Sequence, residues 1–267
     1  MGGRRLVAVL AAAAIAATGV GIGSYELFRS VSKPPPACTI GTGPQQLVLT
    51  LDQGENASTI AAVAKRMQLP DHAVTVALAT ALQESKLHNY PFGDRDSVGL
   101  FQQRPSQGWG TPTQLLTPAY AAAAFFEHLA RVPGWETLPV AIAAQDVQHS
   151  ADGSAYAQWE EEARAMARSL TGESTPGMAC RFPTPRTPGR QDLRALANRE
   201  LGPDVLGRVD ATGTQDWTVA QWLVGHAYAF GIVQVNVRGQ RWTNDGHWRS
   251  DDHAAGSPSY RFAPVGS

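Results

Sequence analysis

The sequence has almost no surplus of charge: 22 Lys and Arg stand against 23 Asp and Glu, a net charge of −1. That lack excludes the broad positive field that nucleic acid requires, so no nucleic-acid partner is expected. A carbohydrate partner is compatible with near-neutrality, because sugars are read by hydrogen bonds and aromatic stacking rather than by net charge. Cysteine is scarce, and Cys38 and Cys180 cannot by themselves make a tetrahedral thiolate metal site. Metal-binding spacing is missing too. His226, His247, His253, Asp245, Asp251 and Asp252 crowd the C-terminal part, but without a His-Glu-x-x-His or His-x-x-x-Asp pair. A solvated or structural role is expected for them, with no metal and no cofactor. Internal repeats at solenoid or propeller periods are also lacking.

Long apolar runs are absent but for one. After Arg4 and Arg5, an uncharged stretch extends from Leu6 to Tyr25. At 1.5 Å rise per residue, about 20 residues span roughly 30 Å, the hydrocarbon thickness of a bilayer. The two arginines should stay in the cytoplasm. Residues 1–5 are therefore expected to be a cytoplasmic tail and 6–28 a transmembrane signal anchor, making a single-pass protein of the cell membrane with its bulk extracytoplasmic. A transporter role is discounted, since one span without intramembrane charge gives no path. A cleaved signal peptide is the alternative, with small residues around Ala16 and Ala17. The apolar run continues through Val20 and Ile22 beyond that site, which favours the retained anchor. Both cysteines then lie in an oxidising compartment and are expected to pair. The loop they close corresponds to about 5 kcal/mol by chain entropy, often less in practice; two separate thiols are the alternative.

Proline-rich and Gly/Ser/Thr/Pro-rich stretches divide the exported chain into a linker at 29–50, a block at 51–172, a second linker at 173–190 and a block at 191–267. The first block reads as mostly α. Apolar spacing predicts helices over Asn56 to Met67, Asp71 to Ser85, Thr117 to Leu129, Thr137 to His149 and Ser154 to Leu170. Between Asn89 and Gly110 the periodicity fails and glycines accumulate. The second block reads as a small α+β domain. Asp192 to Leu201 and Trp217 to Phe230 look helical, whereas Ile232 to Val237 alternates like a half-buried strand, with Arg241 to Thr243 as partner and Gly239 in a tight hairpin turn. The fold class expected is mostly α, with a small α+β C-terminal domain.

Glu84 closes the apolar stretch Asp71 to Ser85. The negative end of a helix and burial both favour the neutral, proton-carrying form of a carboxyl placed there, which is what cleavage of a glycosidic bond needs. From spacing alone a solvated helix-end glutamate is the better reading. The loop that follows, Tyr90-Pro91-Phe92-Gly93 to Gly99-Leu100-Phe101-Gln102, is rich in glycine and aromatics.

The pair Gln83-Glu84-Ser85 followed by Gly99-Leu100-Phe101-Gln102 resembles the Glu-Ser and Gly-Leu-Met-Gln signature of soluble lytic transglycosylases and goose-type lysozymes, with Phe101 in place of Met. The surrounding residues are similar to lysozyme-like domains of actinobacterial membrane-anchored envelope proteins. The resemblance covers about 51–172. It implies a lysozyme-like helical domain that cleaves the glycan strands of peptidoglycan, with Glu84 as general acid and then base. It also implies that Ser85 fixes the helix end and that Gln102 lies by the scissile sugar, with Phe101, Tyr90 and Asp96 as further substrate contacts. One departure stands out. The family has an Ala-Tyr-Asn-Ala-Gly element whose tyrosine faces the sugar beside the glutamate, and here the corresponding stretch is Ala143-Ala144-Gln145-Asp146-Val147. Tyr156 or Trp159 could supply the missing contact, although aromatics in a predicted helix more often belong to the core.

A lytic transglycosylase uses one glutamate and the sugar's own 6-hydroxyl, whereas an inverting hydrolase needs a second carboxylate. Asp94 and Asp96 are the nearby candidates, and both sit where Asp commonly makes turns. The lytic reaction is favoured. The alternative function is a catalytically weak peptidoglycan-binding or scaffold protein that positions other cell-wall enzymes. Trp217 to Trp242 faintly resembles the C-terminal region of actinobacterial cell-wall peptidases without their zinc ligands, implying a non-catalytic module through which such partners could bind. Trp217, Trp222, Trp242 and Trp248 could stack on a sugar or a partner, with Trp217 and Trp222 better read as core.

Overall fold

A computed structural model describes residues 34–43, 46–150, 153–183, 190–206, 214–254 and 256–264. The expected cytoplasmic tail and membrane segment, 1–5 and 6–28, lie outside them. Among the described residues no helix is long and apolar enough to cross a membrane.

Helix α1, Leu51–Arg66, begins where its cap dictates. Thr50 and Gln53 satisfy each other reciprocally: Thr50 Oγ1 accepts from the Gln53 backbone N–H at 3.3 Å, and Gln53 Oε1 accepts from the Thr50 N–H at 2.8 Å. The helix therefore starts before the Asn56 that periodicity favours. A Cβ at Gly54 would sit 2.7 Å from Cys38 Sγ. Gly54 is the bare point where the helix meets the disulfide. Helix α2, Asp71–Ser85, has the boundaries expected, and all ten side chains from Ala73 to Leu82 are buried. With no polar face it can only be a central helix. Around it pack α1, α4 (Pro118–Leu129), α5 (Val140–Gln148) and α6 (Glu160–Leu170), with the short α3 (Pro112–Leu115) beside α4. The predicted helix over Ser154 to Leu170 is in fact two elements, a 3₁₀ segment at Gly153–Trp159 followed by α6.

Strands β1 (Ala37–Ile40), β2 (Leu47–Leu49) and β3 (Met178–Arg181) form an antiparallel sheet in the order β2-β1-β3. Cys38 and Cys180 are register partners across β1 and β3 and are joined by the expected disulfide. These strands fall within stretches that proline content marks as linkers, 29–50 and 173–190. Each is three or four residues long, and the partners of β1 and β3 lie about 140 residues apart in sequence, as Cys38 and Cys180 do at a separation of 142. No local pattern encodes such a pairing.

The second block contributes α7 (Arg190–Glu200), α8 (Thr214–Gly225), α9 (Ala227–Phe230) and a sheet of β4 (Ile232–Val237), β5 (Gln240–Thr243), β6 (His247–Ser250) and β7 (Ser259–Phe262) in the order β6-β5-β4-β7. The predicted β4–β5 hairpin is present. Its turn residues Arg238 and Gly239 both have positive φ, 42° and 75°, as a two-residue turn matching strand twist requires. Helix α8 packs on α1, and one apolar core runs from Ile60 and Leu78 through Trp222 to Trp242. The described residues from Pro36 onward thus belong to one compact unit, where the sequence suggests two domains joined by a linker. The architecture is α+β, helices with two small antiparallel sheets.

Candidate functional site

Glu84 sits in the last turn of α2, half-buried rather than buried. The chain leaves the helix through two successive non-glycine residues in the left-handed region, Lys86 at φ 54° and Leu87 at φ 64°. Such residues cost about 1–2 kcal/mol each, so the surroundings must hold them. Helix α1 does so: Gln53 Nε2 donates to the Lys86 carbonyl at 2.8 Å and Asn56 Nδ2 to the Leu87 carbonyl at 2.8 Å. Leu87 itself is fully buried.

Ser85 fastens this helix end to the loop that carries the second half of the sequence signature. Its Oγ is buried and donates to the Leu100 carbonyl at 2.7 Å, with Ala81 O at 3.1 Å as the alternative acceptor. Ser85 is therefore a positioning residue without access to substrate. In the loop, Gly99 has φ 81°, and a Cβ there would meet the Leu115 carbonyl at 2.5 Å. Its N–H donates to Tyr90 O at 2.7 Å. Gln102 is also left-handed, φ 48°, and its side-chain amide folds back to donate to Gly99 O at 3.1 Å. It crosses the bare Cα of Gly93, where any side chain would collide with Gln102 Oε1. The separation of the Glu-Ser and Gly-Leu-Phe-Gln elements is thus explained by a direct hydrogen bond between them.

Two expected substrate contacts take other roles. Phe101 is fully buried and stacks on Phe125 with ring centroids 4.7 Å apart. Its side chain is core and does not face a ligand. Asp96 accepts from the Ser106 N–H at 2.7 Å, Arg104 Nε at 2.9 Å and Ser106 Oγ at 3.0 Å. The Ser106 backbone N–H first, then Arg104, hold its carboxyl well below the usual carboxylate range. Asp96 closes the loop as a fixed anion and is poorly suited to abstract protons. Asp94 is exposed, 3.8 Å from Arg95 Nε. Tyr90 is a surface aromatic.

The group that meets Glu84 comes from the 3₁₀ segment Gly153–Trp159. Tyr156 is 1% exposed, and its phenol donates to Glu84 Oε1 at 2.7 Å. Burial first, and then the hydrogen bond and charge of Glu84, push the phenol pKa above its ordinary value despite an opposing hydrogen bond from Ser150. Tyr156 therefore stays a proton-bearing donor throughout the physiological range. Side chains three apart on a 3₁₀ turn eclipse, so Trp159 lies on the same face and donates from Nε1 to Gln83 Oε1 at 2.8 Å. The Lys86 ammonium lies 4.0 Å from the centroid of the Trp159 ring. The Ala143 to Val147 stretch supplies no aromatic: Ala143, Ala144 and Val147 are buried in the core. In sequence Tyr156 looks like a core aromatic. It is one, and the signal that gives it a second role is that a buried tyrosine hydroxyl needs a partner.

Of the other sequence candidates, His247, Asp252 and His253 are exposed, and the rest are engaged within the fold. His226 and Glu200 are buried together, Asp245 pairs with Arg249, and Asp251 with Arg241. Among the described residues no group of three or more His, Cys, Asp or Glu is arranged to hold a metal ion. Trp217, Trp222 and Trp242 are core, and half-buried Trp248 donates to Met178 O at 2.7 Å. A concavity near His128, Arg131, Asp146 and His149 offers titratable groups, but the His128 ring is packed 3.9 Å from Trp109 and bonded through Nδ1 to Ala124 O. Compared with known proteins, the chain matches no family model and no curated sequence.

Proposed function

We propose that the chain is a peptidoglycan-cleaving enzyme of the lytic transglycosylase type, anchored in the cell membrane through residues 6–28 and acting outside it. The observation that carries this reading is the hydrogen bond from Tyr156 to Glu84 Oε1, made beside a loop fastened to the same helix end. The phenol occupies one carboxyl oxygen, so Oε2 is the one left to hold and deliver a proton. Glu84 then protonates the bridging oxygen as the glycosidic bond breaks. The resulting carboxylate takes the proton of the sugar's 6-hydroxyl, whose oxygen closes on the anomeric carbon to leave a 1,6-anhydro end. One carboxyl group suffices for both steps. The immobilised Asp96 and exposed Asp94 favour this route over an inverting hydrolysis that needs a second base.

The second reading, a glycan-binding or scaffold protein, starts from the missing sugar-facing tyrosine: Tyr156 meets Glu84 but is 1% exposed and does not itself face a ligand. Cell-wall enzymes remain candidate partners of the C-terminal part. Incubating purified peptidoglycan with the protein and identifying the released sugar ends tests the proposal. Anhydro ends support it, reducing ends assign a hydrolase, and no release returns the binder. Localisation is tested separately by a reporter fused after Ser267, which should be active only outside the cytoplasm.

A further inference from the structure

Helix α5 carries no aromatic towards Glu84, but two glutamines near its C-terminal end reach both sides of the site. Gln145 and Gln148 stand three residues apart, as neighbours on the helix surface. Gln148 Nε2 donates to the Phe101 carbonyl at 2.8 Å, so the Gly-Leu-Phe-Gln loop is gripped by α5 as well as by Ser85. Gln145 closes the helix. Its carbonyl accepts from the His149 N–H at 2.8 Å, where the chain turns through a left-handed residue at φ 50°. Its side-chain Nε2 donates to the Ser150 carbonyl. The residue placed in this way, Ser150, hydrogen-bonds the phenol of Tyr156 and acts to lower its pKa, which makes the serine hydroxyl the donor.

A phenol has one proton to give. Ser150 fills its acceptor side, and at 1% exposure Tyr156 is closed to solvent, so that proton is turned to Glu84 Oε1 at 2.7 Å. In the opposite arrangement a protonated Glu84 would donate from Oε1 to the phenol and tie up the proton that the leaving oxygen needs. We infer that Gln145 and Ser150 are positioning residues that fix the direction of the Tyr156–Glu84 hydrogen bond and so keep the acid's proton on Oε2. This role rests on the reading of Glu84 as the acid. Both residues act through Tyr156 and not on the sugar. The stretch of α5 that departs from the family signature therefore still serves the acid, one residue further out.

The test is a double-mutant cycle on the full chain, with release of sugar ends from purified peptidoglycan resolved into kcat and KM. Ser150→Ala should lower kcat about three- to tenfold, the size of one hydrogen bond, at unchanged KM. Ser150→Thr, which keeps the hydroxyl, should restore it. In a Tyr156→Phe chain, which has no phenol to orient, Ser150→Ala should have no further effect. A merely structural role would instead add its loss to that of Tyr156→Phe, because independent effects sum. Gln145→Met, taken through the same cycle, is a second arm: kcat should fall in the native background and stay level in Tyr156→Phe. Additive losses in both arms, native kcat in Ser150→Ala, or no rescue by Ser150→Thr overturns the relay. The two proposals fail distinguishably. A native chain that releases no sugar ends overturns the reading of Glu84 and the relay with it, whereas release with additive losses overturns the relay alone.

Discussion

Glu84 and Glu200 are carboxyl groups in the two halves of the fold, and their surroundings differ in kind. Glu200 is 3% exposed, and its Oε2 accepts from Trp222 Nε1 at 2.7 Å and Thr59 Oγ1 at 2.9 Å, with His226 Nε2 at 3.5 Å. It ties α7, α8 and α1 together. Glu84 is half-buried and meets the phenol of Tyr156 on one oxygen. The backbone differs as well. Lys86, Leu87, Arg95, Gln102 and His149, all in segments around Glu84, are non-glycine residues with positive φ, while the described C-terminal part contributes Asp204 and Arg238. A polar group held on every side rigidifies a core. A carboxyl held on one side, among strained loops, is kept ready for something that arrives. On the proposed function the C-terminal part is a buttress, and the chemistry falls to the helical part.

The largest expected effect tests the buttress. Trp222→Ala removes a ring that is 1% exposed and leaves Glu200 short of a donor, so it should cost about 3–5 kcal/mol in urea unfolding. Glu84→Gln should stay within about 1 kcal/mol of the native protein. A near-neutral Trp222→Ala would end the contrast. Next comes the fastening of the loop. Ser85→Ala leaves the Leu100 carbonyl without its donor, an expected loss of about 1–3 kcal/mol, accompanied by lower activity as Gln102 is released. Wild-type turnover in Ser85→Ala would mean that the loop is positioned by other contacts. Smaller still is Tyr156→Phe, which keeps the buried ring and removes the hydroxyl; turnover should fall roughly tenfold, about 1.4 kcal/mol, with substrate affinity unchanged.

The smallest effect is on the outer sheet. The hydrogen bond of Arg249 to Asp245 brings that carboxyl down to about 2. A depressed pKa stabilises the fold above the unfolded value near 4, and the contribution fades as pH falls through about 2. Both side chains are about half-exposed, so the pair is worth a few tenths of a kcal/mol. Asp245→Asn should therefore flatten the acid limb of the stability profile slightly and leave activity at neutral pH unchanged. A large loss of activity would bring the C-terminal part into the chemistry.

The sequence was most legible where information is local. Helix α2 is mostly apolar from Ala73 to Leu82 and has the boundaries its periodicity predicts, and the Arg238-Gly239 turn announces its hairpin. Legibility failed where contacts are distant. The reason for Gly54, the disulfide, comes from other strands. Strands β1 and β3 sit in proline-rich stretches and find each other only through tertiary pairing. In the candidate site, Glu84, Ser85 and Gln102 stand out only by resemblance, and the structure gives the bonds that explain their spacing. Phe101 turns into the core and Asp96 into its own loop, because a motif position does not say which way a side chain points. The same holds for Tyr156: in sequence a core aromatic and a partner of the acid look alike.

The most direct test of the account is Glu84→Gln assayed on purified peptidoglycan beside the native protein. The amide keeps the carboxyl's shape and can still accept from Tyr156, but it has no proton to give to a leaving oxygen. The account predicts that the native protein releases 1,6-anhydro ends and that Glu84→Gln, with unchanged folding and glycan affinity, releases them about 10² to 10⁴ times more slowly. Release at the native rate by a folded Glu84→Gln would contradict it.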